Sequence, residues 1–166
     1  MGNGSAIVVL GLPIGSSDPV FLALVGIHVL FGLETVVAGA VAMVSAKRRG
    51  RHSNWGTAYF WGLVGLVVTA GALSSVRWAE DAHLFGLGSL SLAFAWIGRT
   101  AARRKWRQWV RFHLSGMGAS YILALTAFYV DNGRNLPLWN ELPDLAFWLL
   151  PSAIGAPIIL MLIFLT

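Results

Sequence analysis

Long apolar segments separated by short polar connections make up most of the chain, and they predict five helices at residues 19–46, 55–76, 83–98, 113–130 and 145–166. A helix of roughly 20 apolar residues spans the hydrocarbon core of a bilayer. We therefore expect an all-α integral membrane protein with a single transmembrane domain over residues 1–166. The apolar stretch 6–14 is too short to span and lacks the basic region of a secretory signal, so we expect it to lie on the outer surface.

An internal repeat relates the first two predicted helices to the next two. The run His28-Val-Leu-Phe-Gly-Leu33 recurs as His83-Leu-Phe-Gly-Leu87 with one residue fewer, and each run leads into a basic connection and a second histidine. Residues 20–76 and 77–131 are therefore predicted to be two parallel-repeated helical hairpins, related by an axis along the membrane normal. Together they form a four-helix bundle, and residues 145–166 add a fifth, peripheral helix.

Charge is distributed unevenly, and this distribution predicts the orientation in the membrane. Ten of the twelve basic residues fall in the connections after the first and third helices, namely Lys47, Arg48, Arg49, Arg51, Arg99, Arg103, Arg104, Lys105, Arg107 and Arg111. The positive-inside rule places both connections in the cytoplasm, with the N-terminus outside and the C-terminus cytoplasmic. We expect a multi-pass protein of the inner (plasma) membrane that binds no nucleic acid, because topology alone accounts for its basic residues.

Four histidines carry the candidate chemistry. Each is followed three or four residues later by a glycine, and such spacings share one face of a helix. Each imidazole would thus sit beside a notch where a flat ligand can approach the backbone. The residues are His28 with Gly32, His52 with Gly56, His83 with Gly86, and His113 with Gly116. The chain has no cysteine, which excludes disulfides, thiolate ligands and covalent haem attachment.

The repeat turns the four histidines into two pairs, His28 with His83 and His52 with His113. Each pair is predicted to ligate one haem b through two imidazoles. The two sites would lie about 25 Å apart along the membrane normal. Arg51 and Arg111 are candidates to pair with propionates of the haem at the cytoplasmic edge. The outer pair is expected to be the more secure, because both of its histidines lie at membrane depth.

This layout resembles the transmembrane two-haem cytochromes b that use ascorbate, in which four histidines on four consecutive helices ligate one haem near each face. The resemblance covers residues 20–130 and implies the same two pairs. The chain also resembles a family of small bacterial multi-pass membrane proteins of unknown function. That resemblance rests on His52-x-x-x-Gly56-x-x-Tyr59 and on the tract Leu125-Thr-Ala-Phe-Tyr-Val-Asp-Asn-Gly133.

Two functions follow from these patterns. The first is transmembrane electron transfer through two b haems, as in a membrane oxidoreductase supplied by a quinol or another small-molecule donor. The second is a haem-free transporter or assembly scaffold, in which the histidines bind a metal, relay protons or satisfy helix contacts. Glu34, the one acidic residue inside a predicted span, either relays protons or bonds a neighbouring helix. The pattern specifies no oligomer and no partner subunit.

Overall fold

A computed structural model describes residues 7–9, 12–14, 18–47 and 50–166, so Arg48 and Arg49 of the first basic connection lie outside the described residues. Two short antiparallel strands, β1 (Ile7–Val9) and β2 (Leu12–Ile14), fall within the stretch that we expect on the outer surface. The long helices that follow are α1 (Pro19–Val44), α2 (Arg51–Val76), α3 (Trp78–Arg104), α4 (Trp109–Asn132) and α5 (Asp144–Phe164). The prediction of an all-α helical bundle is confirmed.

The helices extend beyond the apolar runs that predicted them. α2 and α4 each begin four residues early, and α3 is longer at both ends. The added residues are mostly polar, basic or aromatic, because a helix continues past the hydrocarbon into the interface, where such side chains are hydrated. α1 begins where the sequence provides a cap. Asp18 accepts the backbone N–H groups of Val20 and Phe21, and Pro19 occupies the first turn.

Four of the helices form a bundle in chain order. α1 packs along α2, α2 along α3 and α3 along α4, whereas α1 and α4 touch only over a short stretch. α5 packs mainly against α4, on the outside of this bundle, as predicted. Length and hydropathy alone would allow α1, α2, α3 and α5 each to cross a membrane. α4, with 24 residues, packs against both α3 and α5.

Small residues and a few hydroxyl groups bring the helices together. α3 and α4 cross at Gly98 and Gly116, where a Cβ on Gly116 would lie 2.7 Å from the Cα of Gly98. This contact is typical of membrane helices, because glycine lets their backbones approach closely. At the centre of the bundle the Tyr59 hydroxyl lies 2.6 Å from Ser120 Oγ, and Ser91 Oγ donates to the Ser120 carbonyl. The apolar core cluster around these groups comprises Ala38, Phe60, Leu63, Val67 and Ala95.

The two ends of the bundle differ in charge and in connection. At the basic end, named for the eight lysines and arginines that the structure describes there, connections of several residues join α1 to α2 and α3 to α4. At the opposite, acidic end, α2 and α3 are joined through Arg77 alone, whose guanidinium pairs with Glu80. This end also carries Asp81 and Asp131. The histidines that the repeat predicts to be equivalent therefore lie at equivalent ends of the two hairpins.

Candidate functional site

His52 and His113 meet at the basic end of the bundle. His52 lies in the first turn of α2 and His113 near the start of α4. Their imidazole centroids are 6.1 Å apart and their ring planes stand at 79° to each other. Both side chains are half-buried. The structure thus brings together one of the two histidine pairs predicted from the repeat.

Each of these two imidazoles is held by a backbone carbonyl of the other helix in its own hairpin. Nδ1 of His52 lies 2.8 Å from the carbonyl oxygen of Ala42, and Nδ1 of His113 lies 3.0 Å from that of Gly98. A carbonyl oxygen can only accept, so Nδ1 carries the proton in both rings. Nε2 of each neutral ring is then left with its lone pair. Histidine ligands of metals commonly have this arrangement, in which the second nitrogen fixes the ring.

The surroundings of this pair differ on its two sides. A Cβ on Gly56, one turn after His52, would meet no atom within 4 Å. The equivalent notch at Gly116 is filled by the backbone of α3 at Gly98. Two turns deeper, the rings of Tyr59 and Tyr121 lie 6.1 Å apart and close the centre of the bundle.

Basic side chains surround the same end. Arg51 and Arg111 are exposed, and no acidic group pairs with either in the part of the chain that the structure describes. Lys47 donates to the Ala42 and Met43 carbonyls, so it shares an acceptor with His52. Desolvation lowers the pKa of the Lys47 ammonium. This end therefore presents an uncompensated positive potential to anionic groups.

The second predicted pair, His28 and His83, is not brought together. Nδ1 of His28 lies 2.9 Å from Thr69 Oγ1 of α2. The Thr69 hydroxyl also lies within hydrogen-bond distance of the Gly65 and Leu66 carbonyls, and the Leu66 backbone is a further hydrogen-bond partner of His28. His83 instead lies exposed beside Trp148 of α5, with ring centroids 6.0 Å apart.

The one-residue difference between the two copies of the repeat explains why these histidines diverge. Phe31 packs against Gly65 of α2, and Phe85 packs against Gly71 of the same helix. His28 precedes its phenylalanine by three residues and shares its face of the helix. His83 precedes Phe85 by only two residues, and two residues correspond to about 200° of rotation. His83 therefore points away from α2 and towards α5.

Gly32 and Gly86 are the glycines predicted to leave space beside His28 and His83. A Cβ on Gly32 would make an ordinary contact of 3.6 Å with Leu66, and one on Gly86 would meet nothing within 4 Å. Glu34 lies further along α1, exposed, and packs against Gly62 of α2. The neighbouring Thr35 hydroxyl is buried without a hydrogen-bond partner.

The sequence analysis did not single out the groups that orient the histidines. Two of them are backbone carbonyls, at Ala42 and Gly98, and no side-chain motif can mark these. Thr69 carried a usable signal, because a hydroxyl inside an apolar helix commonly bonds across to another helix.

Scans against models of protein families, curated proteins and solved structures each returned no match to this chain. The function of the protein is therefore inferred from the geometry of its histidines.

Proposed function

We propose that this membrane protein carries electrons through haem b, with His52 and His113 as the two axial ligands at the basic end. One observation carries the proposal: the ring centroids of two half-buried imidazoles lie 6.1 Å apart, and each ring bonds a backbone carbonyl through Nδ1, which leaves Nε2 available to ligate. A bound haem b would supply a one-electron carrier.

The spacing of the two rings supports this ligand. A metal–nitrogen bond is about 2 Å long, and a ligating nitrogen lies roughly 1 Å from its ring centre, so two trans imidazoles have centroids about 6 Å apart. The ligand count also supports haem. Among the described residues, no third histidine or acidic group joins this pair. Zinc generally takes three or four protein ligands, whereas haem iron needs only two axial ones.

The neighbouring residues of the chain have assignable roles in holding such a group. The open notch at Gly56 admits a flat ring system, while the closed crossing at Gly116 excludes it from the other side. Tyr59 and Tyr121 limit how deeply it can enter. Arg51 and Arg111 offer guanidinium groups to its carboxylates at the aqueous edge.

Electron transfer across the whole bilayer needs a second carrier, which we assign to His28 and His83. His28 bonds Thr69 of α2, and His83 must turn from Trp148 towards the bundle to join it. The proposal also includes an outer N-terminus, a cytoplasmic basic end in the plasma membrane, and a quinol or other small-molecule donor.

The test is to express the full chain with ample haem supply and record its reduced-minus-oxidised absorbance spectrum. We expect a Soret band and an α-band, with the haem content per chain falling by one in His52→Ala and in His113→Ala. His83→Ala serves as the comparison, because it should remove only the haem that is assigned to His28 and His83 and leave the haem of the inner pair in place. A colourless wild-type protein that remains folded would contradict the proposal.

A second candidate function, a haem-free scaffold, is favoured by the same carbonyl hydrogen bonds. They tie α2 to α1 and α4 to α3, which is a sufficient structural use for His52 and His113. Replacing His52 with asparagine distinguishes the ligand role from the scaffold role. The asparagine amide can donate a hydrogen bond in place of Nδ1, but it does not replace Nε2 as a ligand. If His52→Asn keeps the stability of the fold and loses haem, the ligand role stands. If the wild-type chain binds no haem and His52→Asn behaves identically, the scaffold role stands.

A further inference from the structure

A shallow cleft of about 420 Å³ lies on the outer side of α3 near the basic end. One of its lining residues lies four positions after the first, and the other two lie three and four positions after that one, so they cluster on one side of the helix. They are Trp96, Thr100, Arg103 and Arg104. Trp96 is 63% exposed, although it lies within a helix apolar enough to cross a membrane. This face of α3 therefore presents its cleft to the bilayer rather than to the bundle core.

Among the described residues, no acidic side chain pairs with the arginines of this cleft. No acidic residue occurs between Glu34 and Glu80, nor between Asp81 and Asp131. The ion pairs that the described residues form, Arg77–Glu80 and Arg134–Asp144, involve neither Arg103 nor Arg104. A different arginine, Arg99, is engaged with the ring of Phe60 at 4.6 Å. The two guanidinium groups of the cleft are thus available to an external anion.

The charged and aromatic residues of the cleft lie at different heights along α3. Arg103 and Arg104 end α3, whereas Trp96 lies roughly 11 Å closer to the middle of the membrane. The indole of Trp96 packs beside the ring of Phe60, with centroids 5.9 Å apart. Thr100 places a hydroxyl between the two levels. This vertical order matches a phospholipid, whose phosphate lies at the interface and whose acyl chains run inward.

We propose that this cleft binds one anionic phospholipid of the phosphatidylglycerol type. Arg103 and Arg104 bind the phosphate, because guanidinium forks match phosphate oxygens in charge and geometry. Thr100 donates a further hydrogen bond, and the Trp96 indole packs on the glycerol and upper acyl region. A zwitterionic phosphatidylcholine would place its choline cation beside the same arginines, so it should bind less tightly. The inference is independent of haem binding.

Native mass spectrometry of the full chain in a neutral detergent can test this site. Phosphatidylglycerol and phosphatidylcholine are titrated separately, and bound lipid per chain is read from the mass. We expect phosphatidylglycerol to bind roughly fivefold more tightly than phosphatidylcholine, and Arg103→Gln to remove about that factor. Arg107→Gln is the matched control, because Arg107 is an exposed arginine of the adjacent connection that does not line the cleft.

A second pair of variants leaves the charge unchanged. Trp96→Leu removes the aromatic floor of the cleft, while Trp61→Leu alters another exposed tryptophan that also contacts Phe60 but lies outside the cleft. We expect only Trp96→Leu to weaken the lipid adduct, and this pair decides the matter if Arg103→Gln fails to fold. Equal binding of the two lipids, or equal effects within both matched pairs, would overturn the proposal. Displacement of the lipid by millimolar inorganic phosphate would identify a free-phosphate site instead.

Discussion

The imidazoles of His52 and His113 stand almost perpendicular, at 79°, because carbonyls of two different helices, at Ala42 in α1 and Gly98 in α3, hold their Nδ1 atoms. Ligand planes at right angles keep the two dπ orbitals of a low-spin ferric iron close in energy. We therefore expect a strongly anisotropic low-spin signal in the electron paramagnetic resonance spectrum of the oxidised protein. A rhombic spectrum, typical of parallel imidazole planes, would contradict this orientation.

The glycines beside the two inner histidines should respond differently to a methyl group. Gly116→Ala should destabilise the fold by about 1–3 kcal/mol, because the new Cβ would overlap the backbone of α3 at Gly98. Gly56→Ala should leave stability nearly unchanged, since its Cβ would meet nothing within 4 Å. Thermal unfolding in detergent without haem measures both. Equal losses in the two variants would mean that the α3–α4 crossing is looser than the structure has it.

Larger side chains extend this comparison to ligand binding. Gly56→Val should reduce the haem content of the chain, because an isopropyl group would occupy the open side of the His52–His113 pair. Gly26→Val on α1 is the control, since a Cβ there also meets nothing within 4 Å but faces away from His28. Haem per chain is measured by the pyridine haemochrome assay at matched expression. Unchanged occupancy in Gly56→Val would show that this notch holds no ligand.

The central tyrosine should contribute measurably to stability through its hydroxyl. Tyr59 is 2% exposed and its hydroxyl bonds Ser120, so Tyr59→Phe should cost about 1 kcal/mol of unfolding free energy. Tyr129→Phe is the comparison, because Tyr129 makes ring contacts with Phe128 and Trp139 while the structure records no hydrogen bond for its hydroxyl. If the two variants unfold alike, the buried hydroxyl network does not stabilise the bundle.

The absence of cysteine allows the orientation in the membrane to be tested directly. Ser53→Cys at the basic end should react with a membrane-impermeant maleimide only after the cell is opened. Asn140→Cys, between α4 and α5, should react in intact cells; both positions are exposed. The unsubstituted chain provides the background. The reverse pattern of labelling would invert the predicted orientation.

Apolar length predicted the helices because membrane helices need that length whatever their neighbours are. It could not predict their ends: α3 continues to Arg104 although its apolar run stops near Gly98, since interfacial turns need no apolar residues. The repeat predicted that His52 and His113 form a pair, and their rings do lie close together in the structure. Side-chain direction was less predictable, because the deletion of one residue before Phe85 changes the direction of His83 by about 100° without altering the apolar pattern.

Arg77 alone links α2 to α3, so the two hairpins are joined closely on that side of the bundle. On the other side, α1 and α4 contact each other only slightly. The two hairpins pack against each other along α2 and α3. At the opposite edge, the Tyr121 hydroxyl of α4 donates to the Val36 carbonyl of α1 and links the two hairpins. If the proposed haem reaches the His52–His113 pair from the lipid, the slight contact between α1 and α4 makes that edge the easiest place to enter. Loading would then require no helix to leave the bilayer.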